Sequence, residues 1–220
     1  MSTVVKLTSR NKTTVRDRAL LALLQGEVIL IAAEHGYLYA CDAFNQTAVN
    51  RIHTLRGDSP GTAAQVLIGK VTAVTGLASD FDSDWQKVVN AFWPGLLTVQ
   101  LVPQSALRWD LGDGGALAEF AVRIPTREFL LSLLARSGPL AVASASLAGQ
   151  PALRDISLVT AAPSELGLQI DEGLLPTGPA STVLRRSTVG VNGGIVMQRA
   201  GAIALEQLQA VVPTISAANP

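Results

Sequence analysis

Cationic side chains dominate the chemistry this sequence can offer. Of its 17 basic residues, 13 are arginine and 4 are lysine. Arginine presents a planar fork that grips phosphate or carboxylate through two parallel hydrogen bonds. Uneven arginine use also fits a GC-rich genome, so the count alone names no ligand. Arg56 is the most pointed case. It opens the turn Arg56-Gly57-Asp58-Ser59-Pro60-Gly61, where glycine and proline stop a helix. Placed there, Arg56 can hold a phosphate, or serve as a helix C-terminal cation favoured by the macrodipole.

Other chemistries are poorly supplied. There is no G-x-x-x-x-G-K-[ST] run, which excludes a P-loop. There is no G-x-S-x-G, so a Ser-His-Asp hydrolase is unsupported. The two histidines, His35 and His53, and the single cysteine, Cys41, show no metal-site spacing. Cys41 reads as a buried thiol rather than a nucleophile. The acidic run Asp80-Phe81-Asp82-Ser83-Asp84 reads as an N-cap with a negative first turn, because no glycine-turned calcium loop follows.

The elements that must position these groups are legible in outline. At 220 residues, 48% hydrophobic and 15% charged, the chain has room for one large core and is not disordered. Its net charge of zero argues against bulk attraction to nucleic acid. The N-terminus has no apolar signal core and no run reaches transmembrane length, so a cytoplasmic protein is expected. Thr14-Val15-Arg16-Asp17 predicts a capping box opening a helix with Val15, Ala19, Ala22 and Leu23 on its apolar face, stopped by Gly26. Val28 to Ile31 predicts a buried strand, followed by a loop carrying Gly36, Tyr37 and Tyr39. Asn45 predicts an N-cap, and Ala48, Val49, Ile52 and Leu55 a helix. Ala64 to Ile68 predicts the return strand. Val71 to Ser79 is ambiguous between strand and helix. A helix to Phe92, strands at 96–102, 120–125, 140–145 and near Ser181, a helix at 127–136 and a last helix at 204–212 complete the pattern. Arg108 to Gly115 reads as a polar loop. Residues 1–213 form one domain and 214–220 a tail. In a strand-loop-helix-turn-strand unit, the strand end and the turn can converge on one cleft.

The order of these segments is similar to the YrdC/Sua5 family of threonylcarbamoyl-AMP synthases. Ala32 to Ala40 stands where the family reads PTDTVYGLG. Ala48, Val49, Ile52 and Arg56-Gly57-Asp58 stand at its AV..I...KGR. FWPGLLTVQL resembles its FWPGPLTLVL, Phe120 to Pro125 its vavRvP, and Ser144 to Pro151 its SANLSGxP. Asp171-Glu172-Gly173, Ser181-Thr182-Val183 and Ile195 to Ile203 resemble D-G-G, STVV and ilRpGai. The departures fall on reactive positions: Ala32, Ala33 and His35 replace a proline and two threonines, Arg56 a lysine, Asp58 an arginine, and Ser146 an asparagine. The resemblance implies a single α/β domain with a twisted mixed sheet flanked by helices.

It also implies a reaction: L-threonine, bicarbonate and ATP with Mg²⁺ give threonylcarbamoyl-AMP and pyrophosphate, on the way to a modified adenosine of tRNA. Such chemistry asks for positioned cations and hydroxyls more than for a reactive side chain. By position, Arg56 is implied as the catalytic group and as an ATP ligand. Tyr37, Arg123, Ser144 and Ser181 are implied for threonine; Ser146, Arg154 and Arg199 for ATP. No protein metal ligand and no tightly bound cofactor is expected. Two functional classes stay open: a nucleotidyltransferase of this kind, or an impaired paralogue using the same cleft to bind a nucleotide, double-stranded RNA or a protein partner. The inverted charge at Asp58 favours the second; Arg123, Ser181 and Arg199 favour the first.

Overall fold

The computed structural model describes residues 3–107, 109–187 and 193–218. Arg108, the first residue of the expected polar loop, lies outside them. A strand β1 (Thr3–Lys6) leads into helix α1 (Lys12–Leu24). The helix begins two residues before the expected capping box. Asn11 precedes it and turns its own side chain back to the Thr8 amide (2.8 Å) and the Lys6 carbonyl (2.9 Å), fixing the chain entry without capping. Gly26 then takes the left-handed backbone expected of a stop, with φ 75°.

Strand β2 (Ile29–Ala32) is followed not by a long loop but by a second strand, β3 (Tyr37–Asp42), paired antiparallel with it. The loop is only residues 33–36. The reason is visible in the alternation: Tyr37, Tyr39 and Cys41 enter one core while Leu38 and Ala40 face the other. Helix α2 (Gln46–Arg56) follows, with Asn45 Oδ1 accepting from the Ala48 amide at 3.0 Å and Gly57 closing it at φ 65°. Strand β4 (Gln65–Leu67) precedes the ambiguous stretch, which is a 3₁₀ turn at Val71–Ala73 running into the short helix α3 (Val74–Leu77). Asp82 caps helix α4 (Ser83–Phe92) through the Asp84 and Trp85 amides, as its capping reading required.

The rest of the chain gives β5 (Leu97–Leu101), β6 (Phe120–Arg123), α5 (Glu128–Ser137), β7 (Leu140–Ser144), β8 (Leu168–Asp171), β9 (Thr182–Arg186), β10 (Ile195–Arg199), α6 (Leu205–Gln209) and β11 (Ser216–Ala217). The last falls within the expected tail and pairs parallel with β10. Together the strands form one mixed sheet of order β1-β8-β2-β3-β7-β4-β6-β5-β9-β10-β11.

The inner strands separate two apolar layers, because successive side chains leave opposite faces. Ile29 and Ile31 of β2 pack with Val15, Ala19 and Leu23 of α1 and with Phe129, Leu130 and Leu133 of α5. Leu30 and Ala32 pack on the other side with Ala48, Val49 and Ile52 of α2 and Trp85, Val88 and Val89 of α4. The result is a helix-sheet-helix sandwich. Sequence neighbours are separated in the sheet: β4 lies between β7 and β6, and β8 between β1 and β2. That crossing of order brings the 33–36 turn, the ends of β6 and β7, and the segments after them to one edge.

Candidate functional site

A cleft of about 440 Å³ opens at this edge. Its walls are the β2–β3 turn (Ala33, Glu34, His35, Gly36), Gln65 of β4, Leu96, Arg123 of β6, Ser144 of β7, the 151–154 segment, residues 177–181 and Arg199 of β10. Two glycines let these segments close together. A Cβ on Gly36 would lie 2.7 Å from the Ala152 Cβ, and one on Gly178 would lie 2.1 Å from His35 Nε2. The Tyr37 amide donates to the Leu153 carbonyl at 2.8 Å, fastening the 151–154 segment to the hairpin.

Three arginines from three separate segments line the cleft, and one of them meets a carboxylate. Arg123 is 6% exposed and its Nη1 donates to Glu34 Oε2 at 2.8 Å. The other Glu34 oxygen accepts from the Thr126 amide (2.8 Å) and hydroxyl (3.2 Å). Burial by itself raises the Glu34 carboxyl, but the Arg123 charge and the backbone donors outweigh it and hold the pKa below its ordinary value. Glu34 is therefore an anion under ordinary conditions. Among the described residues, the hydrogen bonds of Arg123 engage its Nη1. Arg154 is anchored by Nε to the Leu175 carbonyl at 2.7 Å. Arg199 Nη2 donates to the Ser181 carbonyl (2.9 Å) and hydroxyl (3.2 Å).

A polar row joins two residues of the cleft wall through the buried Thr98: Gln65 Nε2 donates to Thr98 Oγ1 at 3.0 Å, and Thr98 Oγ1 lies 2.9 Å from Ser181 Oγ. Ser181 is thus held between Thr98 and Arg199, oriented by neighbours rather than free to rotate. Ser144 Oγ lies 2.9 Å from Ser146 Oγ.

Of the residues expected at the site, Arg123, Ser144, Arg154, Ser181 and Arg199 line the cleft together. Arg56, Tyr37 and Ser146 do not. Arg56 stands one layer behind Ser144. Its Nε contacts both Asp58 oxygens (3.1 and 3.0 Å) and its Nη1 donates to the carbonyls of Ser144 (2.7 Å) and Ser146 (3.4 Å). Asp58 is 5% exposed and also meets His53 Nδ1 at 2.8 Å. The inverted charge at Asp58 is thus paired within its own turn, and it draws Arg56 into a brace. Ser146 is buried against Gln150 and Ser144. Tyr37 is fully buried. Its hydroxyl donates to the Gly173 carbonyl (2.8 Å) and accepts from the Glu172 amide (2.9 Å), pinning the 171–173 turn. Burial, with the nearby acids, pushes that phenol up to about 12.

Glu34, Gln65 and Thr98 were not anticipated. Only Glu34 left a trace in the sequence, as the sole acid between Glu27 and Asp42 in an otherwise apolar stretch. Gln65 and Thr98 are ordinary strand residues whose partners come from other strands. Among the described residues, no group of three or more His, Cys, Asp or Glu is placed to hold a metal ion, and no helix is long and apolar enough to cross a membrane.

Comparison with known proteins bears on this cleft. The family model described as Sua5_yciO_yrdC, telomere recombination, matches residues 21–201. A protein of Mycobacterium leprae (strain TN), provisionally named a threonylcarbamoyl-AMP synthase, is 32% identical over 167 residues, which is 76% of this chain and 75% of that one. The threonylcarbamoyl-AMP synthase of Bacillus subtilis (strain 168) is 28% identical over 196 residues, 88% of this chain but 55% of its own length. Among solved structures, Pyrococcus abyssi Sua5 in complex with L-threonine superposes with a TM-score of 0.86 at 24% identity, covering 99% of this chain and 63% of that one. Escherichia coli YciO superposes with a TM-score of 0.80 at 18% identity, covering 94% and 100%. This chain therefore spans less than two thirds of the archaeal protein. At these identities the superpositions establish the fold.

Proposed function

The chain belongs to the Sua5/YciO/YrdC family, and from that premise we propose that its cleft binds L-threonine and ATP and, with bicarbonate, makes threonylcarbamoyl-AMP for tRNA modification. The observation that carries this reading is convergence. Arg123, Ser144, Arg154, Ser181 and Arg199 come from segments up to 76 residues apart and line one hollow. In this reading Arg123 takes the threonine carboxylate on its Nη2 and Nε, and the Thr98–Ser181 pair presents an oriented hydroxyl beside it. Arg154 and Arg199 supply the charge for the phosphates. Each charge-assisted bond of this kind contributes about 1.5–3 kcal/mol.

Magnesium would arrive with the nucleotide. The one carboxylate among the described lining residues already faces the Arg123 cation, which disfavours a lone divalent ion beside it. Catalysis in this reading is positioning plus charge stabilisation.

One observation favours a second reading. With Arg56 tied to Asp58, the phosphate half of the cleft has one cation fewer in reach, as expected of a protein that binds the amino acid but transfers no nucleotidyl group. A single experiment separates the two. Calorimetric titration with L-threonine and with Mg·ATP, paired with an assay of pyrophosphate release, should give binding of both ligands and threonine-dependent release. Threonine binding without release supports the second reading, and silence with both ligands ends both.

A further inference from the structure

Helix α1 is polar in its first half and apolar in its second. Residues 19–24 read Ala-Leu-Leu-Ala-Leu-Leu, apolar on every side, yet of these only Ala19, Ala22 and Leu23 are buried. A helical stretch that is apolar all round belongs in an interior. Leu21 is 56% exposed and Leu24 84%. Beside them a groove of about 410 Å³ opens where α1, α5 and the start of β7 meet. Of the described residues lining it five are leucines, and its charges are Asp17, Asp42 and Arg136. Single exposed leucines are ordinary surface, whereas a contiguous apolar face beside a hollow marks a contact site. This face is remote from the cleft: β7 brings Leu140 to the groove and Ser144 to the cleft, about 13 Å further along the strand.

The charges around the groove select its occupant. Asp17, Arg18, Leu21 and Leu24 recur at three- and four-residue spacing, so they form one outward stripe opposite Val15, Ala19 and Ala22. Arg18 is exposed and has no hydrogen-bond or ion-pair partner among the described residues. The helix carries no acid in its first turn and no base in its last, so neither end of its dipole is compensated from within α1. A second copy laid antiparallel across the stripe satisfies these features together. Leu21 meets Leu21 of the second copy, and Leu24 enters the other groove. Arg18 comes to the negative end of the other helix, and the two dipoles oppose. A net charge of zero means that the copies do not repel one another as wholes.

We propose that the Leu21–Leu24 face of α1, with the groove beside it, is a two-fold interface that pairs this chain with a second copy and leaves both clefts open. A standard contact buries about 800 Å² per partner. One helix of 13 residues, about 20 Å long, supplies only part of that, so association in the micromolar range is expected.

Sedimentation velocity over a concentration series tests the pairing. The 23.0 kDa chain should pass into a species of twice that mass with a Kd of about 1–100 µM. Leu24→Glu should raise that Kd by about 100-fold or more, because a two-fold contact contains the change twice. Leu24→Ser adds no charge and should raise it by about 10-fold, which keeps the test open if the glutamate variant loses its circular dichroism spectrum. Arg18→Glu sets an acid at the negative end of the other helix and should weaken association by about 10-fold. Leu158→Glu replaces a leucine of exposure comparable to Leu21 elsewhere on the surface and should change nothing. A wild type that stays monomeric at every concentration overturns the proposal and leaves the groove to a different occupant. A dimer that the Leu24 variants do not weaken, or that Leu158→Glu weakens as much, forms through another face and overturns it too. If Arg18→Glu associates like the wild type, the antiparallel arrangement is overturned.

Discussion

At the scale of single residues, identity and neighbourhood tell different stories. Arg56 has the chemistry to hold a phosphate, yet Asp58 two positions later claims it, and the backbone carbonyls of Ser144 and Ser146 complete the engagement. His53 tightens the same knot, with Nδ1 facing Asp58 and Nε2 facing the Leu111 carbonyl at 2.8 Å. Glu34 is the reverse case: unremarkable in sequence, central in space. Its lowered pKa makes acid sensitivity a direct readout. A carboxyl depressed in the folded state contributes stability that is fully present above its unfolded value, close to the ordinary 4.5, and that is lost as pH falls through the folded value. Thermal melting as a function of pH should therefore show a loss below about pH 4.5 that is smaller in Glu34→Gln. Identical acid profiles for the two proteins would contradict the ion-paired geometry.

At the scale of elements, the cleft depends on where strands and helices end. Helix α2 carries His53 and Arg56 in its last turn, so its registration fixes the brace behind Ser144. Asn45 starts that helix through the Ala48 amide, and its side chain also fills the space over Gly26, where a Cβ would come within 2.7 Å of Nδ2. Asn45→Ala should cost about 1 kcal/mol, a fall of roughly 2–4 °C in melting temperature for a chain of this size. A melt indistinguishable from wild type would show that the cap contributes nothing. The β2–β3 hairpin matters in the same way. Its tight turn at 33–36 brings Glu34 under Arg123, a placement that the long loop expected from the sequence would have left undefined. Tyr37 has a structural place in this hairpin: it joins the hairpin to the 171–173 turn.

At the scale of the molecule, the cleft is assembled from β2–β3, β4, β6, β7, β10 and three connecting segments, so a ligand in it bridges much of the chain. Binding to the folded state alone should raise the global transition. L-threonine at 100 times its Kd should contribute about 2.7 kcal/mol, which for this size corresponds to roughly 5–10 °C. A melting temperature that ignores threonine concentration would remove the cleft as its binding site. Much of this architecture was legible in the chain. Periodicity located α2, α4, α5, β2, β5, β6 and β7 to within a few residues, because each carries its own apolar face and its own cap or breaker. β1, β8 and β11 escaped notice, being short strands whose only mark is a partner elsewhere in the sheet. The sequence by itself determined an α/β domain, its arginine-rich chemistry and the family to which it belongs, since these rest on local pattern and residue type. Only the tertiary structure decided that Arg123 is shared with Glu34, that Arg56 serves Asp58 and that Gln65, Thr98 and Ser181 form one row. Those facts depend on charges and hydroxyls separated by up to 89 positions meeting within about 3 Å, a range at which electrostatics is decisive and over which local sequence carries no information.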